Sequence, residues 1–396
     1  MNKQIEFDNW KSFREYEQDG YWNFSEKEGD INISLTGGKF VCVQFEKSTY
    51  DVEWNSVYEI SYDLDVTGEK AWVRVMYGWY DKDGNVLVKG YLSGKDKIVS
   101  PEETGFLKIS VNIHSSLKAE CNFSNFKIKC TGEYNPHNIT LSTIALKYPV
   151  YPAKKDCRDN LKETLEKIDE LCINEKPDLI VLTEAFYTIK CQIPFRKACM
   201  SEASEPVKLI REKAKKYNTH IVFSFLELED GEYVNGGFLI GRQGEILGKC
   251  RKTHLTMSEL ENGMTPGEEI KVFDTDIGKI GIAICWDIFF PELVRKMQKL
   301  GVDIICNPTA GYRESRVIER ARESGAYIIT STVTDFKDSA VFAPIGQKIC
   351  DASEHNGYGA ITVDMNKPQY IYWQSYPALT SGKEIFLNEA RWELYI

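Results

Sequence analysis

No stretch of this 396-residue chain approaches the ~18 consecutive apolar residues that a membrane-crossing helix needs. The opening MNKQIEFDNW lacks the apolar core of a signal peptide. Neither a membrane protein nor an exported one is indicated, and a cytoplasmic protein is expected. Histidine is scarce: five residues, scattered at 114, 137, 220, 254 and 355, support neither a histidine-rich metal site nor a Cys–His protease arrangement. The eleven cysteines form no CxxC pair, so no zinc site or redox dithiol is marked, and most are expected to be small buried hydrophobes. There is no GxxxxGK[ST] loop and no GxGxxG fingerprint behind a strand, which removes nucleotide hydrolysis and dinucleotide chemistry. No metal and no cofactor is expected. Positive charge is short as well: 49 Lys and Arg against 59 Asp and Glu leave a formal charge of −10, the wrong sign for a main partner of nucleic acid.

What is present is an ordinary folded composition, 42% hydrophobic and 27% charged. Residues 1–133 read as a β-rich unit: short alternating runs such as KFVCVQFE, VYEISYDLDV and KAWVRVMYGWY are separated by turn residues, including Gly37-Gly38 and Asp83-Gly84-Asn85. A β-sandwich is the natural closure. Five of the eight tryptophans, at 10, 22, 54, 72 and 79, fall here. Exposed rings would stack on sugars, and a glycan is the partner that reading implies; most of these rings are expected in the core instead. The polar CTGEYNPHN, residues 130–138, marks a boundary. Beyond it strands such as PDLIVLT, HIVFSFLELE and GKIGIAIC alternate with helix-like VKLIREKAKKY, ELVRKMQKLG and SRVIERARESG, so residues 134–396 are expected to form an α/β domain.

Three reactive side chains sit at or just beyond apolar, strand-like segments, where α/β proteins assemble active sites: Glu184 after PDLIVLT, Lys252 in GKCRKTHL, and Cys285 after GKIGIAI. Singly, each has a plainer reading, as a strand-end carboxylate, a surface lysine and a core thiol.

Their order and context are shared with a known family. LTEAF, RKTHL, TPGEE and ICWDIFFPE follow one another here, with DIICNPTA, ERARESGAYII and APIGQKICDAS after them. From about Asn138 to Pro368 the chain resembles the carbon-nitrogen hydrolases of the nitrilase superfamily. The resemblance implies a four-layer αββα sandwich, with Cys285 as nucleophile, Glu184 as general base and acid, and Lys252 with the backbone N–H of Trp286 as oxyanion donors. It also implies a second glutamate between the lysine and the TPG turn; Glu259 and Glu261 both qualify, the spacing from Glu261 to Pro266 is about one residue shorter than the family pattern and leaves the choice open, and Glu261 is favoured. Asp287 and Glu292 are expected to serve local architecture.

The activity so implied is hydrolysis of a non-peptide C–N bond in a small amide or N-carbamoyl compound through a thioester. The aspartate two places after the cysteine resembles the amidase and carbamoylase branches, where true nitrilases tend to carry a glutamate. Transfer of the acyl group to another acceptor uses the same three residues, and a binding or scaffold protein with a relic hydrolase domain is the reading from another class. Residues 1–133 resemble, more loosely, the galactose-binding-like jelly rolls. Family members usually pair through helices near the nucleophile, which implies a homodimer or higher homo-oligomer.

Overall fold

The structure, a computed structural model, describes residues 3–5, 8–13, 22–36, 41–68, 72–115, 118–146, 156–191, 193–374 and 378–394. The expected Gly37-Gly38 turn lies outside the described residues. The chain divides into two compact units, Met1–Asn135 with Tyr370–Glu389, and Pro136–Gln369 with Ala390–Ile396.

Among its described residues the first unit's regular elements are all strands until its last segment. One sheet runs in the order Trp22–Lys27, Asp30–Thr36, Lys118–Glu133, Ser56–Gly68, Lys95–Val99, with Lys3–Gln4 beside Lys118–Glu133. The second runs Lys11–Phe13, Val41–Thr49, Phe106–Ser115, Trp72–Tyr80, Val86–Leu92, Ala378–Ser381, Tyr370–Trp373. Alternation decides which face goes inward: in Phe106–Ser115 the side chains of Leu107, Ile109, Val111 and Ile113 are buried, and they join Phe45, Tyr58, Trp79 and Phe123 in one core. The Asp83-Gly84-Asn85 turn forms as its composition suggests, because Asp81 Oδ1 accepts the N–H groups of Asp83 (2.9 Å) and Asn85 (2.8 Å). Trp10 and Trp79 are core residues and Trp22 packs on the core, whereas Trp54 and Trp72 are exposed.

One boundary expectation needs correction. Residues 134–396 do not all belong to the second unit, since Ala378–Ser381 pairs in parallel with Val86–Leu92 at Leu379↔Val88 and Tyr370–Trp373 extends the same sheet. The helix Gly382–Glu389 follows, and Trp373 and Ile385 bury Met76 on the outer face of that sheet. The physical reason is an apolar patch around Met76 and Tyr91 that a polar outer sheet face would leave wet.

The second unit has the four layers that the resemblance implied. One sheet is ordered Ile246–Arg251, Glu232–Ile240, His220–Glu229, Leu179–Val181, Asn138–Ile144, Tyr358–Asp364; the other Val272–Thr275, Gly278–Ile282, Ile304–Pro308, Tyr327–Ser331, Ala340–Phe342, Lys348–Asp351. Leu141, Val181, Val222 and Leu239 of the first meet Ile280, Ile282, Ile304 and Ile329 of the second in a shared core. Outside, Cys157–Asn174 and Glu205–Tyr217 cover one sheet, and Pro291–Lys299 and Glu314–Ser324 the other. Strands buried on both faces read as continuous apolar runs, which is why LIV and IIC lack alternation. Among the described residues no helix is long and apolar enough to cross a membrane.

Candidate active site

The parallel strands Leu179–Val181, Gly278–Ile282 and Ile304–Pro308 all run out at the same end of the unit, and the chain turns sharply after each. After the first, Leu182 N–H stays bonded to Val222 O (2.8 Å), then Ala185 takes a left-handed φ of 45° with its N–H on Ser224 Oγ (2.9 Å). The kink turns the buried Glu184 carboxylate into the space between the sheets' ends. After the second strand, Cys285 opens a 3₁₀ turn, Cys285–Phe289, with φ at 48°. A left-handed conformation costs a residue with a Cβ roughly 1–2 kcal/mol, so this turn is held by its surroundings.

The brace is Asp287. Its buried carboxylate accepts the N–H of Ile284 (3.0 Å) through Oδ2 and, through Oδ1, the N–H of His254 (2.7 Å) and His254 Nδ1 (3.0 Å). The His254 ring stacks on Phe290 at 3.8 Å between centroids. The RKTHL and CWDIFF segments, 30 residues apart in the chain, are thereby locked together. This is an architectural role, as expected for Asp287.

Lys252 lies at the centre. Its Nζ, almost wholly buried, donates to Glu184 Oε1 (2.9 Å) and to Glu259 Oε1 (3.0 Å) and Oε2 (2.9 Å). Burial pushes the ammonium down, but Glu184, Cys285 and Glu259 outweigh it and hold its pKa well above the ordinary lysine value, so it is charged at neutral pH. Burial likewise pushes Glu259 up, yet Lys252, Thr256 and Asn235 overcome this and leave it below the usual carboxylate range. For Cys285 burial wins: it drives the thiol up to about 12, with the Glu184 charge adding to the effect and Lys252, Thr309 and the Ala310 N–H opposing it. The Ala310 N–H, one of the groups that lower the thiol's pKa, donates to Glu184 Oε2 at 3.2 Å. Glu184, Lys252 and Cys285 are thus brought together.

Glu261 is not. It is exposed at the end of the short helix Met257–Glu261, and Glu259 takes the place beside Lys252. The reason is a capping box: Thr256 caps the helix, and Glu259, three residues on, turns back so that Oε2 accepts Thr256 N–H at 2.8 Å and Thr256 Oγ1 at 2.9 Å. That signal, T-x-x-E in TMSELE, was in the sequence and separates the two glutamates; distance to Pro266 did not. The structure adds residues to which the sequence gave no role: Asn235, which donates to both carboxylates, and Thr309 with Ala310, the end of the DIICNPTA segment beyond the strand Ile304–Pro308. Trp286 is partly exposed and packs against Phe289; its N–H stands at the start of the 3₁₀ turn, where first-turn N–H groups have no partner within the helix. Among the described residues no group of three or more His, Cys, Asp or Glu is arranged to hold a metal ion.

A family model described as carbon-nitrogen hydrolase matches residues 147–372. Nitrilase homolog 2 of Dictyostelium discoideum is 27% identical over 250 residues, spanning 59% of this chain and 73% of that protein. The citrullinase of Francisella tularensis is 33% identical over 164 residues, 38% of this chain and 57% of its own length. In fold, the chain is similar to an amidase from Nesterenkonia sp., with a TM-score of 0.51 at 19% identity, covering 66% of this chain and 95% of the amidase.

Proposed function

From the chain's membership of the carbon-nitrogen hydrolase family, we propose that it hydrolyses an amide or N-carbamoyl compound to acid and amine or ammonia through a thioester on Cys285. The observation that carries the reading is the Glu184 carboxylate held on both sides at the strand ends, its Oε1 accepting from Lys252 Nζ at 2.9 Å and its Oε2 from Ala310 N–H at 3.2 Å, with the charges of Glu184 and Lys252 both acting on the Cys285 thiol. A thiol held up near 12 is no nucleophile at neutral pH unless a base takes its proton as it attacks. Glu184 takes that proton while the C–S bond forms, and the carbonyl oxygen becomes an oxyanion. Lys252 receives it. The two contacts to Glu259 share one N–H, a second N–H serves Glu184, and the third is left for the oxyanion beside Trp286 N–H. Glu184 then returns its proton to the departing nitrogen as the C–N bond breaks. Water attacks the thioester, gives a proton to Glu184, and the acid leaves as the thiol is restored.

The branch rests on Asp287. Both its oxygens are engaged at the short reach of an aspartate, and a glutamate would carry the carboxylate one methylene past His254 and Ile284. An amide should therefore be turned over at least about tenfold faster in kcat/KM than the nitrile of the same acyl skeleton, a barrier difference of ~1.4 kcal/mol. A preference for the nitrile overturns the branch. Cys285→Ala should abolish turnover, and mass labelling by the true substrate should add the acyl group to Cys285.

A further inference from the structure

Asn235 touches three members of this site, Glu184, Glu259 and Lys252. It lies in the strand Glu232–Ile240, its carbonyl accepts the Lys252 backbone N–H at 2.9 Å, and its Nδ2 donates to Glu184 Oε1 (2.9 Å) and Glu259 Oε1 (3.0 Å). The orientation of the amide is dictated by chemistry: both neighbours are acceptors, so a flipped Oδ1 would face two carboxylate oxygens. Oδ1 is buried and has no hydrogen-bond partner among the described residues, so the amide is held by its donor end. Two carboxylates surround one ammonium here, an excess of negative charge that favours protonating a glutamate. A neutral donor shared by both offsets that tendency without adding charge.

We propose that Asn235 is the positioning residue that makes Glu184 a base: it ties up Oε1, with Lys252, leaving Oε2 to take the thiol proton, and its donor N–H offsets the negative charge of the two carboxylates. The inference deepens the reading of the site as a Glu184-assisted thiol centre and rests on it. The charged and titratable groups acting at this centre beside Glu184 are Lys252, Glu259 and Cys285.

Iodoacetamide tests it on the whole chain without a substrate. In the alkylation Cys285 forms a C–S bond to the methylene, iodide leaves, and the thiol proton passes to Glu184. The rate at Cys285, followed by peptide mass, should fall on the acid side in a limb that Glu184→Gln abolishes. Asn235→Asp, nearly isosteric, replaces the donor with a third acceptor and should move that limb up by at least one pH unit, slowing labelling at pH 6 at least tenfold. Asn235→Ala removes the donor without charge and should move it in the same direction by less. Adding Glu259→Gln to Asn235→Asp restores the carboxylate count and should return the limb toward wild type, a rescue that a merely structural role would not give. An unshifted limb in both folded single variants overturns the role of Asn235 alone. Absence of a Glu184-dependent limb in the wild type overturns the base reading beneath it as well.

Discussion

Glu259 and Glu261 share one short helix, and at ~100° per residue they point to opposite sides of it. Only one can reach Lys252, and the cap at Thr256 decides which. Glu259→Gln should lower kcat on the order of 100-fold, the scale of a misplaced catalytic group, whereas Glu261→Gln should stay within about twofold; equal losses would return Glu261 to the site. Stability carries a matching signature. Glu259 titrates below its ordinary value in the folded chain, so its contribution is present above ~pH 4.3 and is lost as pH falls through the lower folded value. Lys252 is raised, so its contribution is complete below ~pH 10.4 and fades only above that. Thermal melting should therefore drop more steeply from pH 5 to pH 3 in wild type than in Glu259→Gln, with no such difference between pH 6 and 8.

At the scale of the element, the turn Cys285–Phe289 trades backbone strain for the placement of the thiol beside Glu184 and Lys252. Cys285→Gly relieves the left-handed strain that Cys285→Ala keeps. Both variants should be inactive, yet the glycine variant should be more stable than the alanine variant by about 1 kcal/mol in urea unfolding; the opposite order would mean that the turn is unstrained. Asp287→Ala strands the N–H groups of Ile284 and His254, at about 1–3 kcal/mol each when buried. The midpoint should fall accordingly, and the turnover rate with it, because the brace between the lysine and cysteine segments is lost.

For the whole molecule, the consequential fact is that the first unit's second sheet is finished by residues from the far end of the chain. A fragment of residues 1–135 leaves Met76 without Trp373 and Ile385, and Trp373→Ala in the intact chain should cost about 3 kcal/mol of that unit's stability. A peptide of residues 370–389 should bind the fragment and raise its melting temperature; no binding would mean the fragment closes its own core. The peptide also carries a pH signature. Burial, aided by Asp96 and opposed by Lys383, pushes Glu384 up to about 7, so the docked state takes up a proton that the free peptide does not hold near neutrality. Binding should tighten about tenfold from pH 8 to pH 6.

Much of this was legible in the residue order, because the information was local. Strand periods, turn composition and the segments LTEAF, RKTHL and ICWDIFFPE each lie within a few residues, so Glu184, Lys252 and Cys285 could be singled out before any fold was known. Even Glu259 was encoded locally, in the capping box that Thr256 begins. Asn235 carries no local mark, and DIICNPTA marks Thr309 and Ala310 without a role, since an asparagine in a strand or an alanine after Asn-Pro-Thr acquires one only from what the opposite strand ends bring within 3 Å or so. The attachment of Tyr370–Glu389 to the first unit was hidden for the same reason. Strand pairing and the burial of Met76 depend on chain segments some 300 residues apart, and that closure is decided by tertiary packing.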